Sequence, residues 1–471
     1  SLTDDDAAPG EEGSFVAGLY SLLFHYNLNG FVFWVGLLVA LMIVVDLRAP
    51  PYGPPVDIVL CFAGFPLIAL IWQHTATVFA GLFALLLLMI LQKWRQYLMQ
   101  EGGGLPSGMI PVWCIAAFGV LFYVMQTAFI AERGVSDCGV WSVLGARYLQ
   151  QTGALPYGTE FGIHCVYGPL MYAIHLPALW FEPAVQSVDG ALAPVDMTRS
   201  PLLLQWETLS TDANRLVKWL AHTATLGVLF AFGYRVARMS GGVVFATLYA
   251  CCPLLLAGNE SGLISISHIG AAPFLLLGLF WIQHPLRSGL LLGFACGMLY
   301  YPLFLFPLWL RYQWDASRVH ALWFILGFAG VGFTCLLWIV LGVVPHAEAH
   351  EGMSPLMVFL HDTVVQQQFS ESYGNSPFSF WGQFPVVADM AKPLVQVVFL
   401  VLSLALFWIP TERTLSNLVC LSAIVLLATQ PALAHGGGAY TGFYLSVYLL
   451  SVVLPHDREA GGRSGTLTLK T

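Results

Sequence analysis

Apolar residues run along this chain in unbroken blocks of 15 to 25 positions, separated by short polar breaks. A helix needs about 20 apolar residues to cross the hydrocarbon core of a bilayer. By that measure the pattern predicts eleven crossings, at roughly 28–47, 56–73, 76–92, 110–131, 214–234, 243–257, 262–283, 320–344, 392–410, 415–430 and 439–455. Lipid admits only helices or closed barrels, and barrel strands alternate residue by residue over short segments. These blocks do not alternate, so the fold class is an all-α polytopic membrane protein. The run at 289–310 differs: Arg287 and Arg311 bound it, and Pro302 and Pro307 interrupt it. A re-entrant hairpin fits it better than a crossing. Two long polar-rich loops remain, at 132–213 and 345–391.

Charge orients this arrangement. Cytoplasmic loops collect Lys and Arg, and placing the C-terminus inside puts 12 of the 18 basic residues there: Arg48, Lys93, Arg95, Arg235, Arg238, Arg287, Arg311, Arg318, Arg413, Arg458, Arg463 and Lys470. Arg133, Arg147, Arg199, Arg215, Lys218 and Lys392 fall outside, together with both large loops. The expectation is a multi-pass protein of the plasma (inner) membrane with its chemistry on the extracytoplasmic face. No signal-peptide pattern opens the chain, and Ser1 points to trimming or tag removal. Three parts follow: an N-terminal module at 1–109 with three crossings, a core at 110–344 containing the first outer loop, and the second outer loop with the C-terminal helices at 345–471.

Composition narrows the function. The chain is 58% hydrophobic and only 9% charged, and its cytoplasmic loops leave no room for a nucleotide-binding domain. No GxxxxGK[ST] or GxGxxG follows a credible strand. No internal repeat of the transporter kind stands out, and ionisable groups avoid the centres of the apolar runs, where ion pathways would place them. Transport is therefore disfavoured.

The densest polar chemistry lies in "SDCGVWSVLGARYLQQTGALPYGTEFGIHCVYGPLMY", residues 136–172. Residues 139–152 read as a helix, with Val140, Leu144 and Tyr148 on one face and Gly153 as its stop. Ser136 or Asp137 could cap its start. "ALPYG" reads as a turn, and 166–181 as an amphipathic surface helix too short to span.

These residues resemble the first outer loop of the GT-C superfamily of membrane glycosyltransferases. They are most similar to the polyprenol-phosphate-mannose-dependent α-mannosyltransferase branch. The resemblance rests on Asp137, Trp141, Gly153, Leu155, Pro156, Tyr157, Tyr167, Gly168, Pro169 and Leu170. "GLLLGFACGMLYYPLFLFPLWL" resembles a second family segment, and "SYGNSPFSFWG" more weakly a third. Tyr300 or Tyr301 stands where that branch often has Lys, and Trp141 where it commonly has Tyr.

The resemblance implies an enzyme that moves a sugar from a polyprenyl-phosphate donor to a cell-surface glycan or glycolipid acceptor. It implies Asp137 as the general base that takes the acceptor's proton. A fixed cation should stabilise the leaving phosphate, for which Arg133 and Arg147 are candidates beside their reading as surface charges. Glu160, His164, His268, Glu371, Tyr373, Asn375, Ser376 and His435 could line the same cavity. Trp141, Tyr157, Tyr167 and Trp381 are the aromatics best placed to meet a sugar. No cofactor is required; Asp137 with Glu160 or His164 could hold a divalent metal, and no spacing demands one. Nucleic acid is not an expected partner. The alternatives are a polysaccharide ligase or polymerase using a lipid-diphosphate donor, and a lipid or solute transporter.

Of nine cysteines, seven lie in apolar runs, where they pack as small hydrophobes. Cys138 and Cys165 share the outer loop, where disulfides are permitted. They are expected to bond, closing 28 residues and contributing roughly 3 kcal/mol; the alternative is two free thiols.

Overall fold

The computed structural model describes residues 56–61, 63, 76–99, 111–132, 137–159, 167–180, 211–255, 266–343, 352–365, 380–409, 414–432 and 440–454. The expected crossing at 28–47 and most of that at 56–73 lie outside them. Among the described residues the chain is mostly helical and forms no strand; one isolated bridge joins Leu155 and Val343. In the first half the helices are α1 (Ala76–Met99), α2 (Val112–Glu132), α3 (Asp137–Thr152), α4 (Pro169–Ala173), α5 (Leu176–Leu179), α6 (Thr211–Ala250), α7 (Ile266–Ile269) and α8 (Ala272–Phe280). Then come α9 (Pro285–Met298), α10 (Phe306–Ala316), α11 (Arg318–Gly342), α12 (Pro355–Leu360), α13 (Phe380–Gln383), α14 (Pro385–Ala405), α15 (Leu415–Ala432) and α16 (Thr441–Val453).

Five helical stretches are long and apolar enough to cross a bilayer: Ala80–Met99, Val112–Ala131, Asp212–Ala250, Arg318–Gly342 and Leu415–Ala432. The third is two arms rather than one rod. Ala237 and Arg238 leave helical geometry, Arg238 at φ +57°, and the chain turns back on itself. The arms close tightly because two glycines meet: a Cβ on Gly233 would sit 2.1 Å from the Gly241 carbonyl oxygen. Side chains from both arms reach α2, Tyr123 Oη meeting Thr223 Oγ1 at 3.0 Å and Thr247 Oγ1 donating to the Ile115 carbonyl at 3.2 Å.

Residues 285–316 form the hairpin that the two prolines suggest. α9 runs out, a 3-10 turn at Tyr301–Leu305 reverses the chain, and α10 returns. Gln313 Nε2 donates to the Ile282 carbonyl at 2.6 Å, so α10 ends where α9 began. α11 then lies parallel to α9 at near-contact. A Cβ on Gly289 would meet the Phe324 carbonyl oxygen at 2.1 Å, and one on Gly297 would meet Cys335 Sγ at 3.0 Å. Small residues at such spacing let helix backbones approach closely where lipid supplies no hydrophobic drive.

The two ends of this bundle differ. At one, Arg235 donates to the Phe280 carbonyl at 3.1 Å, Arg287 lies over the Trp281 ring, Arg311 pairs with Asp315 at 3.2 Å and Arg318 lies near Trp314. This is the basic face. At the other, the hairpin tip supports the segments at 153–159, 167–180 and 352–365, which make the loop face.

The sequence pattern fails at one internal point. Lys93, counted among the cytoplasmic cations, is fully buried within α1 and donates to Asp57 Oδ2 at 3.1 Å and to Gln96 Oε1 at 2.9 Å. Tyr448 Oη donates to Asp57 Oδ1 at 2.8 Å, and the Lys93 ammonium lies 4.4 Å from the Tyr448 ring centre. Ionisable groups therefore do enter the helical interior, and around Lys93 they do so as a paired set, with every charged atom given a partner.

Candidate functional site

The loop face is assembled from the segments that carry the family resemblance. α3 begins at Asp137 and ends where Gly153 takes φ +71°, a left-handed cap conformation that glycine adopts without a Cβ clash. Leu144 and Tyr148 on its apolar face are buried as expected. The next residues make a tight turn: Thr159 N–H donates to the Pro156 carbonyl at 3.3 Å, and Gly158 sits at φ +78°. Leu155 N–H donates to the Gly342 carbonyl at 2.7 Å, anchoring the turn to the end of α11.

Tyr157 is fully buried. Its hydroxyl donates to the Tyr167 carbonyl, and its ring packs edge-on against Tyr172 and Phe359 at 5.9 and 5.0 Å. It thus joins the two halves of the first loop to the second. Gly168 then meets the hairpin: its N–H donates to the Met298 carbonyl at 2.9 Å, and a Cβ there would lie 2.1 Å from the Gly297 carbonyl oxygen. Only glycine fits so close an approach. The two strongest resemblance segments, about 130 residues apart in the chain, are in backbone contact.

Asp362 holds this junction from beneath. It lies in a π-helical turn at His361–Val365, is fully buried, and accepts the Gly158 N–H at 2.7 Å through Oδ2. Its Oδ1 lies 3.1 Å from His361 Nδ1. No motif in the sequence marks Asp362, because its partner lies 204 residues away.

A second polar feature runs along the first arm of α6. Asn214, Lys218 and His222 recur every fourth residue, so they share one face and step about 6 Å apart along the axis. All three are fully buried. Asn214 Nδ2 and Oδ1, Lys218 Nζ and His222 Nδ1 have no hydrogen-bond partner. Gln126 fixes the imidazole: its Nε2 donates to the Ala250 carbonyl at 2.6 Å, so its Oε1 accepts from His222 Nε2 at 2.9 Å. His222 Nδ1 is then a bare acceptor. His175, at the start of α5, is alike: its Nδ1 donates to the Met171 carbonyl at 2.8 Å, and its buried Nε2 has no partner. Burial pushes that imidazole down to about 4, so it is neutral at neutral pH. α3, α5 and α7 all pack against α6.

The remaining sequence candidates distribute unevenly. Trp141 is half-buried against the core, and Arg147 is half-buried on the same helix. Tyr167 is buried beside the hairpin, and Trp381 is buried with its Nε1 donating to the Pro431 carbonyl at 2.9 Å. As placed, the Tyr157 and Trp381 rings pack inward and bind the loops together. His268 is buried on α7 between Tyr440 and Phe443, at 4.0 and 5.4 Å, and α7 packs against α3. Tyr301, one of the two tyrosines that stand where the resembled branch often has Lys, stacks on the same Phe443 at 3.9 Å. Arg133, Glu160, His164, Glu371, Tyr373, Asn375, Ser376 and His435 lie outside the described residues, as do the side chains of Asp137 and Cys138 and all of Cys165. The Cys138–Cys165 bond therefore falls outside them too. The other seven cysteines are free thiols, and no cluster of metal-binding side chains occurs among the described residues.

No known family, no curated protein and no solved structure matches this chain. What can be said of its function rests on the residues and their geometry.

Proposed function

We propose that this chain is a GT-C-type glycosyltransferase. It moves a sugar from a polyprenyl-phosphate donor to a cell-surface glycan or glycolipid acceptor at the outer face of the membrane. The observation that carries this reading is the meeting of the two resemblance segments, where Gly168 rests on Gly297 and donates to the Met298 carbonyl. Segments that share a family pattern but lie far apart in sequence have a reason to recur together when they build one site. The gathering of Arg235, Arg287, Arg311 and Arg318 at the opposite end supports the loop face as the outer one.

The reaction needs little from the protein beyond placement and charge. Asp137 takes the proton from the acceptor hydroxyl as its oxygen attacks the anomeric carbon. The carbon–oxygen bond to the phosphate breaks, and the electron pair leaves on the polyprenyl phosphate. Arg133 and Arg147 stand nearest in sequence to offset the charge that develops there. No cofactor enters this scheme.

Asp57–Lys93 is the one observation that favours transport, since such pairs mark ion pathways in membrane helices. Its geometry favours a fixed lock, because Asp57, Lys93, Gln96 and Tyr448 satisfy one another.

Substituting Asp137→Asn tests the transferase reading. The amide keeps the shape and the capping ability of the carboxylate but cannot take a proton. Turnover with a polyprenyl-phosphate sugar should fall about 10²- to 10⁴-fold while the melting temperature stays put. Full activity in a folded Asn variant would leave Asp137 a helix cap and nothing more.

A further inference from the structure

We infer that the buried face of α6 formed by Asn214, Lys218 and His222 is a binding site for a phosphoryl head group on a lipid. Lys218 supplies the countercharge, Asn214 the hydrogen-bonding edge, and His222 an acceptor for a hydroxyl on the same ligand.

A fully buried ammonium without an anion beside it is among the costliest arrangements in a protein. Chains avoid it by pairing the cation, as happens here at Lys93 with Asp57, or by letting the long side chain reach water. Lys218 does neither. One helical turn toward the chain start, both polar atoms of the Asn214 amide are also buried and unpaired. One turn the other way, the Gln126 bond leaves His222 Nδ1 as an empty acceptor. Three neighbouring polar side chains unsatisfied on one face point to an occupant that carries matching groups. By contrast, Arg215 and Asp212 on the exposed side of the same turn pair with each other at 3.1 Å.

The pattern also states what the occupant is. It must be anionic to meet Lys218 and must accept hydrogen bonds to meet Asn214 Nδ2. It must donate at least one to meet Asn214 Oδ1 or His222 Nδ1. A phosphate with an attached or neighbouring hydroxyl satisfies all of these; a carboxylate or a neutral sugar alone does not. Because α6 is long and apolar enough to cross a bilayer, a hydrocarbon tail can lie alongside it in lipid. The site itself follows from α6 alone. That the phosphate arrives on a polyprenyl carrier rests on the transferase reading.

The test uses the full chain in nanodiscs and follows binding by native mass spectrometry. The probes are undecaprenyl phosphate, undecaprenol, phosphatidylglycerol and inorganic phosphate. Undecaprenyl phosphate should bind, and undecaprenol should bind at least about tenfold more weakly, the scale of one charge-assisted contact. Lys218→Met should weaken the phosphate lipid about tenfold or more and Asn214→Ala by less, with neither change lowering the melting temperature. If Lys218→Met does not fold, the Asn214→Ala shift decides. Lys218-dependent binding that favours phosphatidylglycerol or inorganic phosphate keeps the phosphoryl site and moves its source away from a polyprenyl carrier. Equal binding of undecaprenol and its phosphate, or unchanged binding in both variants, overturns the inference. Transfer activity is not the readout, so full turnover in Asp137→Asn would sink the proposed base and leave this site standing.

Discussion

Lys93 and Lys218 are both fully buried in long apolar helices, and their surroundings are opposites. Lys93 donates to a carboxylate and an amide oxygen and lies against an aromatic ring. Lys218 has no hydrogen-bond partner, and the amide one turn away has none either. The difference separates two uses of a buried charge. Around Lys93 the chain supplies every partner, so the set can serve as a clasp: it joins 56–61, α1 and α16, and α1 in turn packs on α15, where Cys420 Sγ donates to the Lys93 carbonyl at 3.4 Å. Around Lys218 the chain withholds the partner, which is the arrangement expected where a ligand completes the set.

The comparison can be broken at three points. The largest effect should come from Lys93→Met, which leaves Asp57 buried and without its cation. We expect a loss of about 3–5 kcal/mol, read as a clear drop in melting temperature in detergent. Replacing Asp57 by Leu in the same chain should restore most of it, because a packed apolar pair carries no unpaired charge. A single variant that melts like the parent would remove the clasp from the account. Next comes Asp362→Ala, which strands the Gly158 N–H at a cost of about 1–3 kcal/mol. Hydrogen exchange should speed up across 153–159 and leave α15 unchanged; uniform protection would mean that Asp362 does not hold the turn. The smallest effect, with the opposite sign, should come from Lys218→Met without ligand. Removing an unpaired cation should leave stability unchanged or raise it slightly, by up to about 1 kcal/mol. A loss like that at Lys93 would show that Lys218 is paired in the resting protein.

Much of this was legible in the sequence wherever the signal was local. Gly153 could be read as the stop of α3 because a left-handed cap is a property of one residue and its neighbours. The run at 289–310 could be read as a hairpin from its arginines and prolines for the same reason, and the helices that form it span 285–316. What was hidden is long-range pairing. Asp57 meets Lys93 across 36 residues and Tyr448 across 391, so no window holds both partners, and Lys93 looked like an ordinary interfacial cation. Asp362 closes a contact over 204 residues, so nothing in its own loop announces it. Lys218 is a different case. Asn214, Lys218 and His222 stand four apart in plain view, at the edge of an apolar run. That edge made Lys218 seem exposed, whereas packing of α3 and α5 onto α6 accompanies its burial. Tyr157 and Trp381 show the same limit of local signal: the residue types suit a sugar, and nothing near them in sequence tells that their hydrogen bonds turn inward.

A cryo-EM map of the full chain in nanodiscs with added undecaprenyl phosphate tests the central claim most directly. It needs neither the sugar nor the acceptor to be known. The account expects phosphate density about 3 Å from Lys218 Nζ, on the face of α6 that Lys218 shares with Asn214 and His222, with the hydrocarbon chain running along α6 into lipid. A phosphate bound at the basic face beside Arg287 and Arg311, or an acidic side chain already seated on Lys218, would contradict it.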